Sequence, residues 1–353
     1  MDSITVSVIV PAYNASATIG KTIEALSRQN CFQPFEVIVV DDGSSDNTGE
    51  IVCSFLPGKD SREQLRVSVN TTLRGNDMGI KYVRQDNAGP ASARNHGAEL
   101  ARGEFLAFTD SDCIPHEDWI SQLMAGFDQN HVGVVCGSYG IANPEHCLAR
   151  CVFKEILWRH TNLMPDFPNS FGSYNFCVKK SVFDAVGGFN SDYAQASGED
   201  NDLSYKIRQS GWRIYFQRKA LVDHHHPTGV FKYMKEQFRH GFWRVRMYID
   251  HPRMMRGDGY TYWKDIIEMP IAVFFLGGLV LSAANGVSLG VVACSILFPL
   301  LLFEISCALI MSKGFFEGIF FGFVMAGRAF ARMFGFSTGI LSLWTKKRSK
   351  IFQ

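Results

Sequence analysis

Residues 4–29, "ITVSVIVPAYNASATIGKTIEALSRQ", join two segments of different period. "ITVSVIVP" alternates and is rich in Val and Ile, the pattern of a strand, whereas "SATIGKTIEALSRQ" repeats its apolar residues at helical spacing. The pair recurs: "FEVIVVDDGS" (35–44) precedes "DNTGEIVCSFL" (46–56), "IKYVRQ" (80–85) precedes "PASARNHGAELA" (90–101), and "EFLAFTDSD" (104–112) closes the series. Strand and helix in alternation predict an α/β fold with a mostly parallel, Rossmann-like sheet. The strands at 4–10, 35–40 and 104–109 each run into a polar cluster. Ligands of open parallel sheets bind outside the carboxyl ends of their strands, so these ends are three candidate contacts.

Working outward, residues 57–80 are polar with little periodicity and read as a surface insertion. A helix is expected over 116–130, a strand over 132–141, a helix and turn over 179–190 ending in "VGGFN", and a helix, a Gly-Trp break and a strand over 198–216. No regular element is assigned between 142 and 175.

A chain of 353 residues accommodates two or three folding units. Residues 1–228 carry 20 Lys+Arg against 27 Asp+Glu, and residues 229–353 carry 15 against 7. An acidic first part is unlike a nucleic-acid reader, and a basic remainder suits an anionic membrane face, so no nucleic-acid partner is expected. The nine cysteines lack paired metal spacing and read as reduced thiols. The first apolar run is too short for a signal peptide, which places the amino-terminal part in the cytoplasm.

Composition changes after residue 228. "FKYMKEQFRHGFWRVRMYI" interleaves aromatic and basic residues at helical spacing, as a helix lying in the membrane interface does. Apolar runs at 270–284 and 286–311 predict a transmembrane hairpin. Residues 314–344 are also apolar, but Arg328 and Arg332 interrupt them, so a re-entrant or interfacial helix is expected there, followed by a basic cytoplasmic tail. The expected organisation is a cytoplasmic domain over 1–228, an interfacial segment over 229–265, a hairpin over 266–313 and the last helix and tail over 314–353. The protein is therefore expected in the cell membrane, multi-pass, with its soluble part in the cytoplasm.

In "TDSD" the carboxylates Asp110 and Asp112 are two residues apart, so in extended backbone they share a face. Such hard oxygen ligands suit Mg2+ or Mn2+ with a substrate phosphate completing the shell; the alternative is a solvated turn. At the neighbouring strand end Asp42 is placed to accept from a base or a ribose, while Ser44 or Asp46 caps the following helix. Pro11 and Tyr13, after the first strand, offer a ring and backbone groups to a flat base.

Taken together, "SVIVPAYNASATIGKTIEAL", "VIVVDDGSSDNT", "NAGPASARNHG", "LAFTDSD", "VGGFN" and "GEDNDLSYKIRQSGW" resemble, in order and approximate spacing, the family 2 glycosyltransferases over residues 5–226. The resemblance implies the GT-A nucleotide-sugar-binding fold and an inverting, metal-dependent transferase using a nucleotide-sugar donor, first a UDP-sugar. By the same resemblance Pro11, Ala12, Tyr13 and Asp42 are base and ribose contacts. Asn87, Gly89, Arg94 and Asn95 form the second nucleotide segment, and Asp110 and Asp112 are the metal and sugar-nucleotide motif. Asp200 of "GED" is the general base, with Glu199 orienting it or the acceptor; the other reading of this run is an acidic helix start, which Asp202 fits better. Of "HHHP" at 224–227, His226 is taken as a further metal ligand, with His224 the other choice. Arg239, Arg244 and Arg246 are read as lipid-phosphate contacts or snorkelling arginines.

The expected function is sugar transfer to a membrane-associated, polyprenyl-linked saccharide acceptor in the assembly of a cell-surface glycan. The alternative within the class is a polyprenyl-phosphate sugar synthase, which needs no general base. From another class, the alternative is an inactive sugar-nucleotide-binding membrane protein.

Overall fold

A computed structural model of the chain describes residues 4–56, 69–72, 79–193, 198–252, 263–285, 288, 291, 293–312 and 314–351. The described residues form two compact units, the first comprising 1–142 and 164–225 and the second 143–163 and 226–353. The chain changes unit at 142, 163 and 225.

In the first unit β1 (Val6–Ala12) leads through α1 (Ile19–Ser27) to β2 (Phe35–Asp41) and α2 (Thr48–Ser54). Then come β3 (Val69–Thr72), β4 (Gly79–Arg84), α3 (Pro90–Leu100), β5 (Phe105–Thr109), β6 (Cys113–Pro115), α4 (Trp119–Ala125) and β7 (Val132–Ile141). After residue 163 the unit resumes with β8 (Asn175–Lys179), α6 (Lys180–Ala185), α7 (Glu199–Gln209) and β9 (Arg213–His224). Among the described residues the nine strands form one sheet in the order β3-β4-β2-β1-β5-β8-β7-β9-β6. β4, β2, β1 and β5 are parallel, as strand–helix alternation predicts. β3, β8 and β6 run antiparallel to their neighbours, so the sheet is mixed beyond β5. Residues 69–72, which the sequence assigned to an insertion, add the edge strand β3, and residues 79–80 open β4; residues 57–68 and 73–78 lie outside the described residues.

β1 and β2 are buried along their whole length, and Val6, Val8, Val10, Val37 and Val39 pack with Ile19, Ile23 and Leu26 of α1 and Val52 of α2. Both faces are covered, which is why these strands read as continuous apolar runs. Gly97 of α3 allows the helix onto the sheet, since a Cβ there would lie 2.5 Å from Ile9 Cγ2. The central strands thus end together, at Ala12, Asp41 and Thr109.

The second unit contains α5 (Cys147–Asn162), α8 (Val230–Asp250), α9 (Trp263–Asn285), α10 (Phe298–Ser312) and α11 (Phe315–Ile351). Among the described residues, two helical segments are long and apolar enough to cross a membrane, Ser295–Ser312 and Phe315–Ser342; Ile267–Leu279 is apolar but shorter. The 18 residues of the first rise about 27 Å, close to a hydrocarbon core. The arginines that set 314–344 apart in the sequence are turned inward. Arg328 is 1% exposed and bonds Glu155 at 2.8 Å, and Arg332 bonds Asp265 at 2.9 Å. Paired in this way, they do not interrupt the lipid-compatible face of α11.

Candidate active site

The polar ends of β1, β2 and β5 meet the starts of α3 and α7, all within the first unit. β1 ends at Ala12, whose carbonyl accepts the Asp42 amide at 2.8 Å. Beyond it the Tyr13 ring is 54% exposed, and Asn14 turns the chain at φ 49°. Asn14 Oδ1 accepts the Ser45 amide at 2.8 Å, and Ser44 Oγ accepts the Asn14 amide at 2.9 Å, so the loops after β1 and β2 hold each other. Asp46 accepts the amides of Thr48 at 3.0 Å and Ser16 at 3.1 Å. Despite the cost of desolvation, these bonds and the Thr48 hydroxyl hold its carboxyl at about 2, as an anion that caps the start of α2.

Asp42 is buried and faces inward. Its Oδ1 accepts Gln85 Nε2 at 2.7 Å and the Ala88 amide at 2.9 Å, while Oδ2 accepts the Gly89 amide at 2.9 Å. Asn87 Nδ2 donates to the Asp42 carbonyl at 2.9 Å. Asp42 and Asn87 thus shape the segment leading into α3. Gly43, at φ 77°, makes room for it, since a Cβ there would lie 2.9 Å from the Asn87 nitrogen.

Arg94, on the first turns of α3, is 2% exposed. One guanidinium nitrogen donates to Asp110 Oδ1 at 2.7 Å and another to Glu199 Oε1 at 3.1 Å. A single buried cation therefore joins the end of β5 to the start of α7. Asn95, next to it, bonds both backbone groups of Phe189, donating to the carbonyl at 2.8 Å and accepting the amide at 2.9 Å. It fixes the "VGGFN" turn, and Gly188 at φ 63° completes that turn.

Asp200 follows Glu199 on the first turn of α7, after Gly198 at φ 103°. Burial and the neighbouring Glu199 charge push its carboxyl up to about 7, although Asn201 donates its amide to Oδ1 at 2.8 Å. A carboxylate poised near neutrality is suited to taking and returning a proton. The first turn of α7 also holds Asp202, paired with Lys206 at 2.7 Å, as the acidic-helix-start reading anticipates.

Asp110 and Asp112 sit on the tight turn between β5 and β6, where the Cys113 amide donates to the Asp110 carbonyl at 3.1 Å. Asp112 Oδ1 lies 3.6 Å from His224 Nε2. Burial, with some contribution from His225, lowers His224 to about 4, so its imidazole is neutral at pH 7. Among the described residues, donor atoms of Asp112, Cys113 and His224 all lie within 4.8 Å of one another. A carboxylate oxygen beside a neutral imidazole fits a divalent cation. Of the two histidines considered in the sequence, His224 is therefore the one placed with Asp112. His226 belongs to the second unit, where its backbone is bonded in both directions to the Asn143 side chain.

Two features were not legible. Arg94 reaches carboxylates 16 and 105 residues away, and no local pattern reveals such partners. Tyr139 and Tyr174 stack with ring centroids 3.5 Å apart, and Tyr139 meets the His224 ring at 5.2 Å. The strand register, not the sequence, brings these rings together.

The strand ends of a mixed α/β sheet thus gather buried carboxylates, an arginine clamp and a carboxylate–imidazole pair. The chain matches the model of glycosyl transferase family 2 over residues 7–150 and that of glycosyl transferase family group 2 over residues 105–312, and it belongs to this family. The protein is a glycosyltransferase of GT-A fold. It is 27% identical over 261 residues to glycosyltransferase AglE of Haloferax volcanii, covering 73% of this chain and 79% of that one. It is 29% identical over 249 residues to validoxylamine A glucosyltransferase of Streptomyces hygroscopicus, covering 61% of this chain and 54% of the relative, about half of that protein's length. Its fold is similar to that of a solved mannosyltransferase from Pyrobaculum calidifontis, in complex with GDP-Man and Mn2+, with TM-score 0.60 and 20% identity over 93% of this chain and 86% of that one.

Proposed function

We propose that this glycosyltransferase works with inversion, moving a sugar from a nucleoside diphosphate donor, first a UDP-sugar, to a polyprenyl-linked saccharide at the membrane. One observation carries the reading: Arg94 ties Asp110 to Glu199, placing the diphosphate-side motif and the acidic pair Glu199–Asp200 around one point. Asp200 takes the acceptor hydroxyl proton as that oxygen attacks the anomeric carbon opposite the departing diphosphate. Glu199, held by Arg94, fixes the start of α7 and so the direction of Asp200. Tyr13, exposed beyond β1, stacks on the base, and the Asn87–Gly89 segment ordered by Asp42 lines the nucleotide. Asp112 and His224 would hold the divalent cation, Mg2+ or Mn2+, with Asp110 beside them. When bound, that cation supplies positive charge to the leaving diphosphate.

The reading assigns catalysis to residues 1–228 and membrane attachment to the helices after 229. Leu302 and Ile310 of α10 and Phe316, Phe323 and Leu341 of α11 are exposed, as lipid-facing residues are. Asp200 favours a hydroxyl acceptor over a polyprenyl phosphate, because an ionised phosphate needs no base. The test is incubation of membranes containing the protein with UDP- and GDP-sugars and Mn2+ or Mg2+, followed by identification of the labelled lipid. A lipid-linked oligosaccharide is expected. A sugar ester of polyprenyl phosphate, with Asp200→Asn near wild type, would establish the alternative, and no transfer from any donor would overturn the enzymatic reading.

A further inference from the structure

The turn after β5 carries a third donor that the metal pair does not require. β6 and β9 are antiparallel neighbours in which Cys113 stands directly across from His224, and directly opposed residues of such strands project to one face of the sheet. Cys113 Sγ is 3.9 Å from Asp112 Oδ1, and that same oxygen is 3.6 Å from His224 Nε2. Oxygen, nitrogen and sulfur bound tetrahedrally to one ion at bond lengths of ~2.0–2.3 Å stand roughly 3.3–3.6 Å apart. Asp112 Oδ1 therefore stands within a few tenths of an ångström of a shared-shell distance from each of the other two donors, and all three lie within 4.8 Å of one another.

The surroundings of the sulfur are equally specific. Cys113 is wholly buried, so a cation reaches it from the side of Asp112 and His224, which are 42% and 20% exposed. Behind it Thr109, the last residue of β5, is also wholly buried; its hydroxyl makes no conventional hydrogen bond and lies against the Cys113 sulfur. A hydroxyl there is placed to donate to a metal-bound thiolate, the kind of outer partner that orients a ligand. The backbone is pinned on both sides, with the Cys113 amide on the Asp110 carbonyl at 3.1 Å and the His225 amide on the Asp112 carbonyl at 3.2 Å.

We propose that Cys113 is a third protein ligand of the cation site, beside Asp112 and His224, and that the site takes soft or borderline divalent ions (Zn2+, Co2+, Cd2+) in preference to Mg2+. This rests on the glycosyltransferase reading only in placing the site at the donor diphosphate. As the metal–sulfur bond forms, the thiol proton passes to the buffer and the thiolate pair becomes the bond; no oxidation is involved. Thiolate and imidazole select these ions over Mg2+, which demands oxygen ligands in near-octahedral array. Three protein ligands leave a fourth position open for a phosphate oxygen.

The test uses the full chain, purified in detergent, stripped of metal and titrated with Co2+ without donor. A thiolate-to-Co2+ charge-transfer absorption saturating at one equivalent is expected. It disappears in Cys113→Ser and persists in Cys31→Ser and Cys307→Ser. Asp112→Asn and His224→Gln weaken Co2+ binding at least tenfold, and Thr109→Val weakens it about tenfold with the absorption retained. Should Cys113→Ser fail to fold, X-ray absorption on the Zn2+-loaded wild type decides the matter, with one sulfur at about 2.3 Å expected. A shell of nitrogen and oxygen alone, or charge transfer persisting in folded Cys113→Ser, overturns the proposal. Transfer from the donor panel with Mn2+, Co2+ and Zn2+, measured in parallel, keeps the readings apart: transfer without a sulfur signal sinks Cys113 and leaves the function standing, and a sulfur signal with no transfer from any donor does the reverse.

Discussion

Arg94 shows how much of the site's geometry one buried side chain sets. Its guanidinium bonds both Asp110 and Glu199, so one positive charge holds two acidic elements together. Removing it takes from buried Glu199 the cation 3.1 Å away, and breaking such a buried pair costs about 3–5 kcal/mol. Arg94→Met is therefore expected to lower the melting temperature and abolish transfer together, with Arg94→Lys intermediate in both; a melting temperature equal to wild type would show that the clamp is not structural. Asp200 makes the sharper kinetic prediction. A general base acts only when ionised, and Asp200 is protonated below about 7. Transfer at limiting substrate should therefore be full above that pH and fall about tenfold per unit below it. In Asp200→Asn the acid limb disappears along with most of the rate. A wild-type rate constant across pH 5.5–8 would remove Asp200 from the base role. Asp42 differs again, since it accepts two amides and Gln85, and Asp42→Asn leaves one acceptor oxygen for that work. The donor KM should rise, by a loss of about 1–3 kcal/mol for a buried amide left unsatisfied, with little change in kcat.

At the scale of elements, legibility followed locality. β1, β2, β5 and β7 stand out because each is an apolar run bounded by polar turns, and period 2 needs no partner to be seen. β6 has three residues, and β8 opens with Asn175, whose amide is used by the Ser138 and Ala220 carbonyls; their antiparallel sense is a property of neighbours, not of their own sequence. α8 illustrates the same limit in the second unit. Its mixture of aromatic and basic residues suggests a helix lying alone at an interface, yet one face is packed closely on α11 through glycines. A Cβ at Gly241 would lie 2.1 Å from the Arg332 carbonyl oxygen, and one at Gly335 1.9 Å from that of Phe238. Backbones approach this closely only where side chains are absent. Gly335→Ala should destabilise the protein by about 1–3 kcal/mol, read as a lower melting temperature in detergent. Gly229→Ala, where nothing lies within 4 Å of the new atom, should leave it unchanged. Equal melting of the two variants would mean that the helices part without cost.

Over the whole molecule, the ionisable residues of the apolar region are explained by one another. Within the second unit, Glu155 of α5 bonds Arg159 at 2.8 Å and Arg328 at 2.8 Å; Arg159 bonds Asp265 at 2.7 Å; and Lys264 bonds both Glu268 and Glu304, the latter at 2.7 Å. From sequence, Arg328 argues for a re-entrant or interfacial helix, because its partner Glu155 lies 173 residues away; the partner of Glu304 lies 40 residues away. Helix α5 belongs to this unit although the chain places it between β7 and β8, and its role was unreadable for that reason. Charges removed from water must be paired, and a network with both signs in place tolerates loss of a pair better than loss of one member. Although burial opposes its ionisation, Arg328 and Arg159 hold Glu155 at about 2, well below its ordinary range. Its contribution to stability is therefore present above the ordinary glutamate pKa and lost as pH falls toward about 2. Glu155→Ala should cost up to about 3–5 kcal/mol at pH 7, because Arg328 and Arg159 each lose a buried carboxylate while keeping Glu268 and Asp265, and the double change Glu155→Ala with Arg328→Met should cost less than the single one. Thermal unfolding of the full chain in detergent at pH 7 checks both, and a double variant weaker than Glu155→Ala alone would show that the arginine is held by its other partners and not by Glu155.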